Sequence, residues 1–351
     1  MSRKGGVPFY FPKRSRGWTC RPNFPIIRGV KSGRHARGLR DEAWMSFERG
    51  TLWRSLALKT EEASRKGALV SLPTEFEFIE DGGVRFLVRI LMTLKLKDAA
   101  RSHLRDLRQT GPRVDPFLPY EEDLFVTDLS DTHLVLLNKF KVIDHHFLIV
   151  TREFEDQEML LTPKDFEALW TCLAEFNGLG FYNGGPAAGA SQTHKHLQIV
   201  PLPLAPEGPA VPIETLLPAE RGVGRPMRLP GMPFQHSFTA LDSNSERSPL
   251  KSAAVGFDAY CRMMERVGLE GPERGRPKRQ SAPYCLLATR DWMLLAPRTR
   301  EHFGSVSINA LGLAGALFVR DRSELDLLKS AGPMRALREV ARPFPPGGIQ
   351  N

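Results

Sequence analysis

One stretch constrains the fold of this chain more than any other, residues 180–201, GFYNGGPAAGASQTHKHLQIVP. It ends in a β-type run that carries His194, His196 and Gln198. Side chains on a strand alternate between two faces, so these three share one face while Lys195 lies on the other. Buried polar side chains need hydrogen-bond partners, so this face predicts a ligand site and not a dry core.

The loop before this strand is suited to close approach by a ligand. Gly184, Gly185 and Gly189 are interspersed with alanines, and such small residues let backbone N–H groups reach phosphate oxygens. Ser191 and Gln192 add side-chain donors beside the histidines. A phosphate-binding loop next to a histidine pair predicts a site for phosphorus chemistry.

A neutral imidazole can act as the nucleophile of such a site, because its ordinary pKa is about 6.5. Attack on phosphorus would form a covalent phosphohistidine, and the loop amides, Ser191 and Gln198 would stabilise the added negative charge. Two other interpretations of the histidines stay open on these residues. They could bind a metal, although Gln198 is a poor zinc ligand, or they could be structural and satisfied internally.

The flanking sequence predicts an α+β fold with a mostly antiparallel sheet. Strands are expected at 124–127, 133–138, 146–151, 180–183, 194–201, 282–290 and 292–297. Helices are expected at 52–66, 84–108, 162–177, 257–267, 307–317 and 323–340. Thr162 is the expected N-cap of the third helix, with Pro163 at its first position.

The domain organisation follows from composition. We expect a basic, disordered N-terminal extension at 1–44, a catalytic domain at 45–203, a Pro- and Gly-rich linker at 204–233 and a second domain at 234–345. The net charge of +9 lies wholly within 1–44, since basic and acidic residues balance in the remainder. Three interpretations of 1–44 compete: a nucleic-acid-binding arm, a targeting peptide, and an extension without a role or a start at Met45. The body of the chain gives no reason to expect nucleic-acid binding.

The cysteines and the hydropathy exclude other classes of protein. The four cysteines (Cys20, Cys172, Cys261 and Cys285) form no CxxC pair, which argues against a structural zinc site and a disulfide framework. We therefore expect a cytoplasmic setting. No run of eighteen apolar residues predicts a membrane span.

The pattern GxSxxHxHxQ, preceded by F-x-N-x-G, resembles the histidine-triad superfamily. Its glutamine-containing branch holds galactose-1-phosphate uridylyltransferases and diadenosine tetraphosphate (Ap4A) phosphorylases, also called ATP adenylyltransferases. Residues 138–157, 178–203 and 292–301 resemble the phosphorylases, and their cyanobacterial members are the most similar. The resemblance covers residues 52–340.

This resemblance implies a two-lobed, histidine-triad-like α+β fold with an antiparallel sheet, like that of the uridylyltransferases. It implies phosphorolysis of Ap4A to ADP and ATP, and the reverse, through an adenylyl-histidine. The implied partners are Ap4A, ATP, ADP and inorganic phosphate, with no covalent cofactor. Mg²⁺ commonly accompanies polyphosphate substrates, but no carboxylate cluster in the sequence indicates a dedicated site.

The resemblance also implies roles for individual residues. His196 is the implied nucleophile, His194 supports it, and Gln198 bonds the transferred phosphate. The implied nucleotide- and phosphate-binding residues are Asn138, Lys139, His146, Asn183, Gly189, Ala190, Ser191 and Gln192.

Two departures and one further expectation accompany the resemblance. Cys285 follows Tyr284 where the family often has Asn, from which we expect weaker nucleotide binding. The Cys/His metal site of many uridylyltransferases is missing, which favours the adenylyl branch. Residues 292–300 are expected to form a lid over the intermediate, with a core strand and basic turn as the alternative.

The sequence leaves other functions open. The acceptor could be a sugar phosphate or adenylyl sulfate, because acceptor choice depends on pocket shape. A hydrolase would use water instead. A nucleotide sensor without turnover is disfavoured by the intact set of His194, His196 and Gln198. A nucleic-acid binder would act through residues 1–44.

Overall fold

An antiparallel sheet of eight strands runs through the part of the chain that the structure describes. This computed structural model describes residues 48–91, 115–242, 248–273 and 276–346. All of them belong to one compact unit. The predicted extension, residues 1–44, lies outside the described residues.

The described ranges contain fifteen strands and six α-helices. The strands are β1 (Val70–Ser71), β2 (Thr74–Asp81), β3 (Val84–Leu91), β4 (Phe125–Asp128), β5 (His133–Leu137), β6 (Phe140–Lys141), β7 (Phe147–Thr151), β8 (Gly178–Gly184), β9 (His196–Pro201), β10 (Ser237–Ala240), β11 (Tyr284–Ala288), β12 (Trp292–Pro297), β13 (His302–Phe303), β14 (Val306–Ser307) and β15 (Ala316–Val319). The α-helices are α1 (Leu52–Lys66), α2 (Pro163–Glu175), α3 (Pro249–Arg266), α4 (Ala310–Leu313), α5 (Arg322–Ala331) and α6 (Pro333–Val340). Within these ranges no helix is long and apolar enough to cross a membrane.

The main sheet has the spatial order β10–β12–β11–β8–β9–β7–β5–β4. Every neighbouring pair in it is antiparallel. The predicted α+β class with an antiparallel sheet is thereby confirmed. Strands from both predicted domains share this sheet, and the boundaries of those domains stay a prediction.

Alternating side chains of the main sheet pack into a separate core on each face. On one face, Tyr182 and Ile199 belong to a buried cluster that includes residues of α1, α2 and α3. On the other face, Leu179 and Phe181 belong to a cluster with the C-terminal helices and the smaller sheet β15–β3–β2. The main sheet is therefore the middle layer of the fold.

A polar strip interrupts the second of these faces. His196 pairs with Val150 of β7, and Gln198 pairs with Leu148 of β7 and Phe181 of β8. Val150 and Leu148 belong to a small separate apolar cluster, whereas Phe181 belongs to the large core. His196 and Gln198 thus lie between two apolar clusters, on the face that the alternation predicts.

The ends of the first two helices follow the predicted signals. Gly67 ends α1 in the left-handed region with φ 77°. Thr162 caps α2 and forms a capping box with Asp165, while Pro163 occupies the first position. The helix ends at Glu175, shortly before Gly178. Local capping signals therefore predicted the end of α1 and the start of α2.

The helix predicted over 84–108 is wrong where the structure describes it. Residues 84–91 form strand β3, which lies between β2 and β15; the rest of that helix, residues 92–108, lies outside the described residues. Apolar side chains occur on both faces of β3, as expected of a buried strand. A short apolar run of this kind does not distinguish a buried strand from a buried helix by periodicity.

The C-terminal helices are shorter than predicted. Residues 307–317 contain the one-turn helix α4 and the start of β15 instead of one helix. Residues 323–340 divide into α5 and α6 at Gly332, which adopts φ 87°, and Pro333 begins the new helix. The strand pair predicted at 282–290 and 292–297 is confirmed as β11 and β12.

The segment predicted as a linker, residues 204–233, contributes to the core. Leu204, Val211, Ile213 and Leu229 are buried in the cluster above the second face of the sheet. Residues Pro212–Leu216 form a 3₁₀ helix within this segment. Although its Pro and Gly content predicted a linker, this segment is irregular and packed against the core.

A buried ion pair fastens the strand of the histidines to helix α2. Lys195 Nζ lies 2.8 Å from Asp165 Oδ2, and neither side chain is more than 1% exposed. Asp165 Oδ1 also lies 3.1 Å from His133 Nε2. Burial alone would raise the pKa of Asp165, but Lys195 and His133 hold it well below its ordinary value.

We expect Lys195→Met to reduce the free energy of unfolding by about 3–5 kcal/mol, because it leaves the Asp165 carboxylate buried without its cation. Urea denaturation at pH 7 measures this change. The matched control is Lys164→Met, because the Lys164 side chain is 53% exposed and pairs with Glu167; we expect it to change stability by less than about 0.5 kcal/mol. Equal effects of the two substitutions would contradict the prediction.

Candidate active site

His196 begins strand β9 and presents one ring nitrogen as a free base. Its Nδ1 lies 2.8 Å from the main-chain carbonyl oxygen of His194, which can only accept, so Nδ1 carries the proton. The neutral ring therefore keeps its lone pair on Nε2. Burial lowers the pKa of His196 to about 4, although the bond to the His194 carbonyl acts in the opposite direction. The ring is uncharged at neutral pH.

The main chain of His196 is held by a buried glutamine. The amide of His196 donates to Gln157 Oε1 at 2.8 Å. Gln157 Nε2 donates to the carbonyl oxygens of Asn183 at 2.9 Å and His196 at 3.2 Å. Gln157 thus joins β8 to β9 at the point where the glycine-rich loop leaves the sheet.

A chain of hydrogen bonds orients Gln198. Asn138 Nδ2 lies 3.0 Å from His146 Nδ1, and His146 Nε2 lies 3.0 Å from Gln198 Oε1. Burial lowers the pKa of His146 to about 4, so its neutral ring accepts from Asn138 and donates to Gln198. The amide group of Gln198 is left to donate to a ligand.

His194 is contacted at both ring nitrogens. Its Nδ1 donates to Asp115 Oδ2 at 2.8 Å. Its Nε2 lies 2.9 Å from both the hydroxyl and the carbonyl oxygen of Thr151. Phe117 packs against the rings of His194 and His196, with centroid distances of 5.6 and 5.4 Å. Phe154, which is 54% exposed, packs on His194 from the solvent side.

The glycine-rich loop uses most of its own amides. Ala188 and Ala190 donate to the carbonyl of Gly185, and Gly189 donates to that of Pro186. These amides bond to carbonyl oxygens within the loop, and the expected cradle of loop amides around phosphate stays a prediction. Helical turns of this kind satisfy their donors internally.

The amides that remain available belong to the residues just before His194 in the sequence. Within the described ranges, the main-chain N–H groups of Ser191 and Gln192 have no acceptor. Ser191 is exposed and Gln192 is half-buried, so neither lies in the core. Among the loop residues predicted to bind phosphate, these two offer free donors.

Asn183 and Gly189 contact the same short helix. Asn183 Oδ1 accepts from the amide of Ala310 at 2.9 Å, at the start of α4. Gly189 has φ 89°, and a Cβ there would lie 2.7 Å from the Cβ of Asn309. The two residues join the loop to the C-terminal part of the chain. Their predicted contact with phosphate stays a prediction.

Lys139 and Cys285 were also discussed from the sequence, and the structure shows the partners of both. Lys139 Nζ pairs with Glu121 at 2.6 Å, and both side chains are more than two-fifths exposed. Cys285 is buried beneath the loop, with Sγ 3.4 Å from the carbonyl of Ala188 and 3.3 Å from Arg298 Nη1. The weaker nucleotide binding expected from Cys285 stays a prediction.

The stretch considered as a lid is mostly core. Residues Trp292–Pro297 form the fully buried strand β12, and Thr299 and Arg300 follow it on the surface. The alternative, a core strand followed by a basic turn, is therefore the observed arrangement.

Within the described ranges no group of three or more His, Cys, Asp or Glu side chains could hold a metal ion.

Sequence reasoning missed Asp115, Phe117, Thr151 and Gln157. Asp115 and Phe117 lie in a segment interrupted by prolines, which gave no periodic signal. Thr151 ends the predicted strand 146–151, and the pairing of Val150 with His196 places it beside His194. Only strand register, which no local pattern specifies, would have revealed that contact.

We expect Gly189→Ala to destabilise the protein by about 1–3 kcal/mol more than Gly208→Ala, because a methyl group at Gly189 overlaps Asn309. Gly208 is a matched control, since it shares φ 89° but has no atom within 4 Å of the position of an added Cβ. Both substitutions bear the same backbone strain, of about 1–2 kcal/mol. Urea denaturation of the two variants measures the difference, and equal values would show that the loop can move away.

Two family models match consecutive parts of the chain. The Ap4A phosphorylase N-terminal domain matches residues 42–219, and the ATP adenylyltransferase C-terminal domain matches residues 230–343. The first of these covers half of the 351 residues, including His194, His196 and Gln198.

Individual relatives agree with the family models. Diadenosine 5',5'''-P1,P4-tetraphosphate phosphorylase 2 of Saccharomyces cerevisiae is 31% identical over 244 residues, which are 61% of this chain and 71% of that protein. The crystal structure of yeast Ap4A phosphorylase Apa2 superposes with a TM-score of 0.69 at 26% identity, covering 86% of this chain and 97% of that one. Its complex with Ap4A gives a TM-score of 0.67 at 26% identity, covering 84% and 98%.

Proposed function

This chain belongs to the Ap4A phosphorylase family, and from that premise we propose that it catalyses Ap4A + phosphate ⇌ ADP + ATP. It is a nucleotidyltransferase, and the reverse reaction is that of an ATP adenylyltransferase. The observation that carries the proposal is the state of His196. Its ring is neutral, its Nδ1–H is committed to the His194 carbonyl, and its Nε2 is free.

In the first half-reaction, Nε2 of His196 attacks the α-phosphorus of one adenylyl group. A nitrogen–phosphorus bond forms, the bond to the bridging oxygen breaks, and ATP leaves with that oxygen. The positive charge that forms on the ring is met at Nδ1–H by the carbonyl of His194. The amide of Gln198 and the main-chain N–H groups of Ser191 and Gln192 are free to donate, and in this proposal they bind the phosphoryl oxygens.

In the second half-reaction, an oxygen of inorganic phosphate attacks the same phosphorus. The nitrogen–phosphorus bond breaks, ADP leaves, and His196 regains its neutral ring. The polar strip between two apolar clusters supports this assignment, because limited hydration disfavours attack by water. We place the reaction in the cytoplasm, as the scattered free cysteines suggest.

The remaining predicted binding residues support the site without contacting the reacting atoms. Asn138 and His146 orient Gln198, and Asn183 and Gly189 hold the loop against α4. Ala190 and Lys139 lie at the margin of the site, one bonded to Gly185 and the other paired with Glu121.

The deciding experiment is incubation of the protein with Ap4A, with and without phosphate, followed by separation of the nucleotides. We expect ADP and ATP to accumulate only with phosphate. We expect His196→Ala to reduce the rate by about a thousandfold or more, because it removes the nucleophile. The matched control is His302→Ala, at a histidine on β13 that is 44% exposed and lies 3.5 Å from Glu301; it should retain full activity.

Other products would overturn this proposal in distinct ways. AMP and ATP formed without phosphate would indicate a hydrolase. Turnover with sulfate or a hexose phosphate in preference to phosphate would indicate another acceptor. Nucleotide binding without turnover by the unsubstituted protein would indicate a sensor.

The rate of the first half-reaction is expected to stay constant as the pH falls from 8 to 5.5. The lowered pKa of His196, about 4, keeps its ring unprotonated throughout that interval, and protonation removes the nucleophile only nearer pH 4. Single-turnover release of ATP from Ap4A without phosphate measures this step apart from the titration of phosphate itself. Intrinsic fluorescence at each pH checks that the protein stays folded. A decline centred near the ordinary histidine pKa, about 6.5, would contradict the buried, neutral state.

A further inference from the structure

Asp115 lies beside the site and is fixed by two hydrogen bonds. Its Oδ2 accepts from His194 Nδ1 at 2.8 Å, and its Oδ1 accepts from the main-chain N–H of Phe117 at 2.9 Å. The Asp115 side chain is 19% exposed, and that of His194 is fully buried. A carboxylate held at both oxygens has one orientation, and it imposes that orientation on the imidazole bonded to it.

The other side of His194 is equally restricted. Thr151 contacts Nε2 through its hydroxyl and carbonyl oxygens, both at 2.9 Å. The rings of Phe117 and Phe154 pack edge-on against it. Since both ring nitrogens are engaged, the group that His194 offers to its neighbour is its main-chain carbonyl, which receives Nδ1–H of His196.

Asp115, His194, His196 and Phe117 form a closed ring of contacts. Asp115 bonds His194, His194 bonds His196, and the ring of His196 packs against Phe117 at 5.4 Å. Phe117 in turn bonds Asp115 through its amide. A change at Asp115 therefore reaches the ring of His196 by two routes, although Asp115 does not contact that ring itself.

We propose that Asp115 is a positioning residue for adenylyl transfer, which fixes His194 and, through the carbonyl of His194, the ring of His196. This inference rests on the proposed role of His196 as the nucleophile. A displacement of about 1 Å at a reacting atom reduces a rate by up to about a hundredfold. Because Asp115 does not touch the reacting atoms, its loss affects kcat and the first half-reaction, and leaves KM for Ap4A nearly unchanged.

The test compares Asp115→Ala and Asp115→Asn with Asp326→Asn, a control at an exposed carboxylate on α5. We expect Asp115→Ala to lower kcat and the single-turnover rate of ATP release by about 10- to 100-fold, with KM within about threefold of the original. Asp115→Asn should be intermediate, since its amide can still bond His194 once that ring changes tautomer. The control should match the unsubstituted protein.

Three kinetic outcomes would overturn the proposal. The first is an unchanged kcat in Asp115→Ala, and the second is a loss confined to KM. The third is equal rates in Asp115→Asn and Asp115→Ala when both variants unfold at the same urea concentration as the original protein. If Asp115→Ala does not fold, Asp115→Asn is the test: a lower kcat with KM nearly unchanged supports the proposal, and an unchanged kcat or a change in KM alone overturns it.

A measurement without substrate separates this inference from the proposed function. In protein labelled with ¹⁵N at histidine, long-range ¹H–¹⁵N spectra report which nitrogen of His196 carries the proton. We expect a single Nδ1–H form in the original protein and a mixture of tautomers in Asp115→Ala. An unchanged His196 signal would overturn the positioning role even if Ap4A is turned over. A changed signal in a protein inactive on Ap4A would uphold the role and overturn only the proposed substrate.

Discussion

Lys195 lies between the two histidines of the site and points away from them, into a buried ion pair with Asp165. A buried ammonium group without a partner would destabilise the fold by several kcal/mol, so the strand accepts only the register that pairs it. A shift by one residue would place Lys195 on the site face and both histidines in the apolar layer. The same pair reaches α2, where Asp165 also completes the capping box with Thr162. Sheet, helix and site are therefore fixed by one interaction.

Burial determines the chemistry of the histidines that this register presents. An imidazole removed from water resists protonation, and the pKa values of His146 and His196 both fall to about 4 for that reason. A neutral ring has one donor and one acceptor, so its partners decide which nitrogen is free. The carbonyl of His194 leaves Nε2 of His196 free, and Asn138 makes His146 a donor to Gln198. A free acceptor on His196 and a free donor on Gln198 are both set in this way.

The glycine-rich loop joins the sheet to the C-terminal part of the chain. Small residues there allow the loop to pack against α4, where Gly189 contacts Asn309 and Asn183 bonds Ala310. Its own amides close the turn, and the free donors follow at Ser191 and Gln192. Because α4 belongs to the C-terminal part of the chain, the glycine-rich loop depends on residues more than a hundred positions away.

The sequence by itself determined the face that His194, His196 and Gln198 share, because alternation along a strand is a local property of the backbone. It also determined the caps of α1 and α2 and the family, since each depends on residues close together in the chain. Tertiary structure alone decided that residues 84–91 form a strand, because their apolar run suits either element until neighbouring strands flank it. It alone also brought Asp115 to His194 across 79 residues, since a hydrogen bond between distant segments depends on packing that no local pattern encodes.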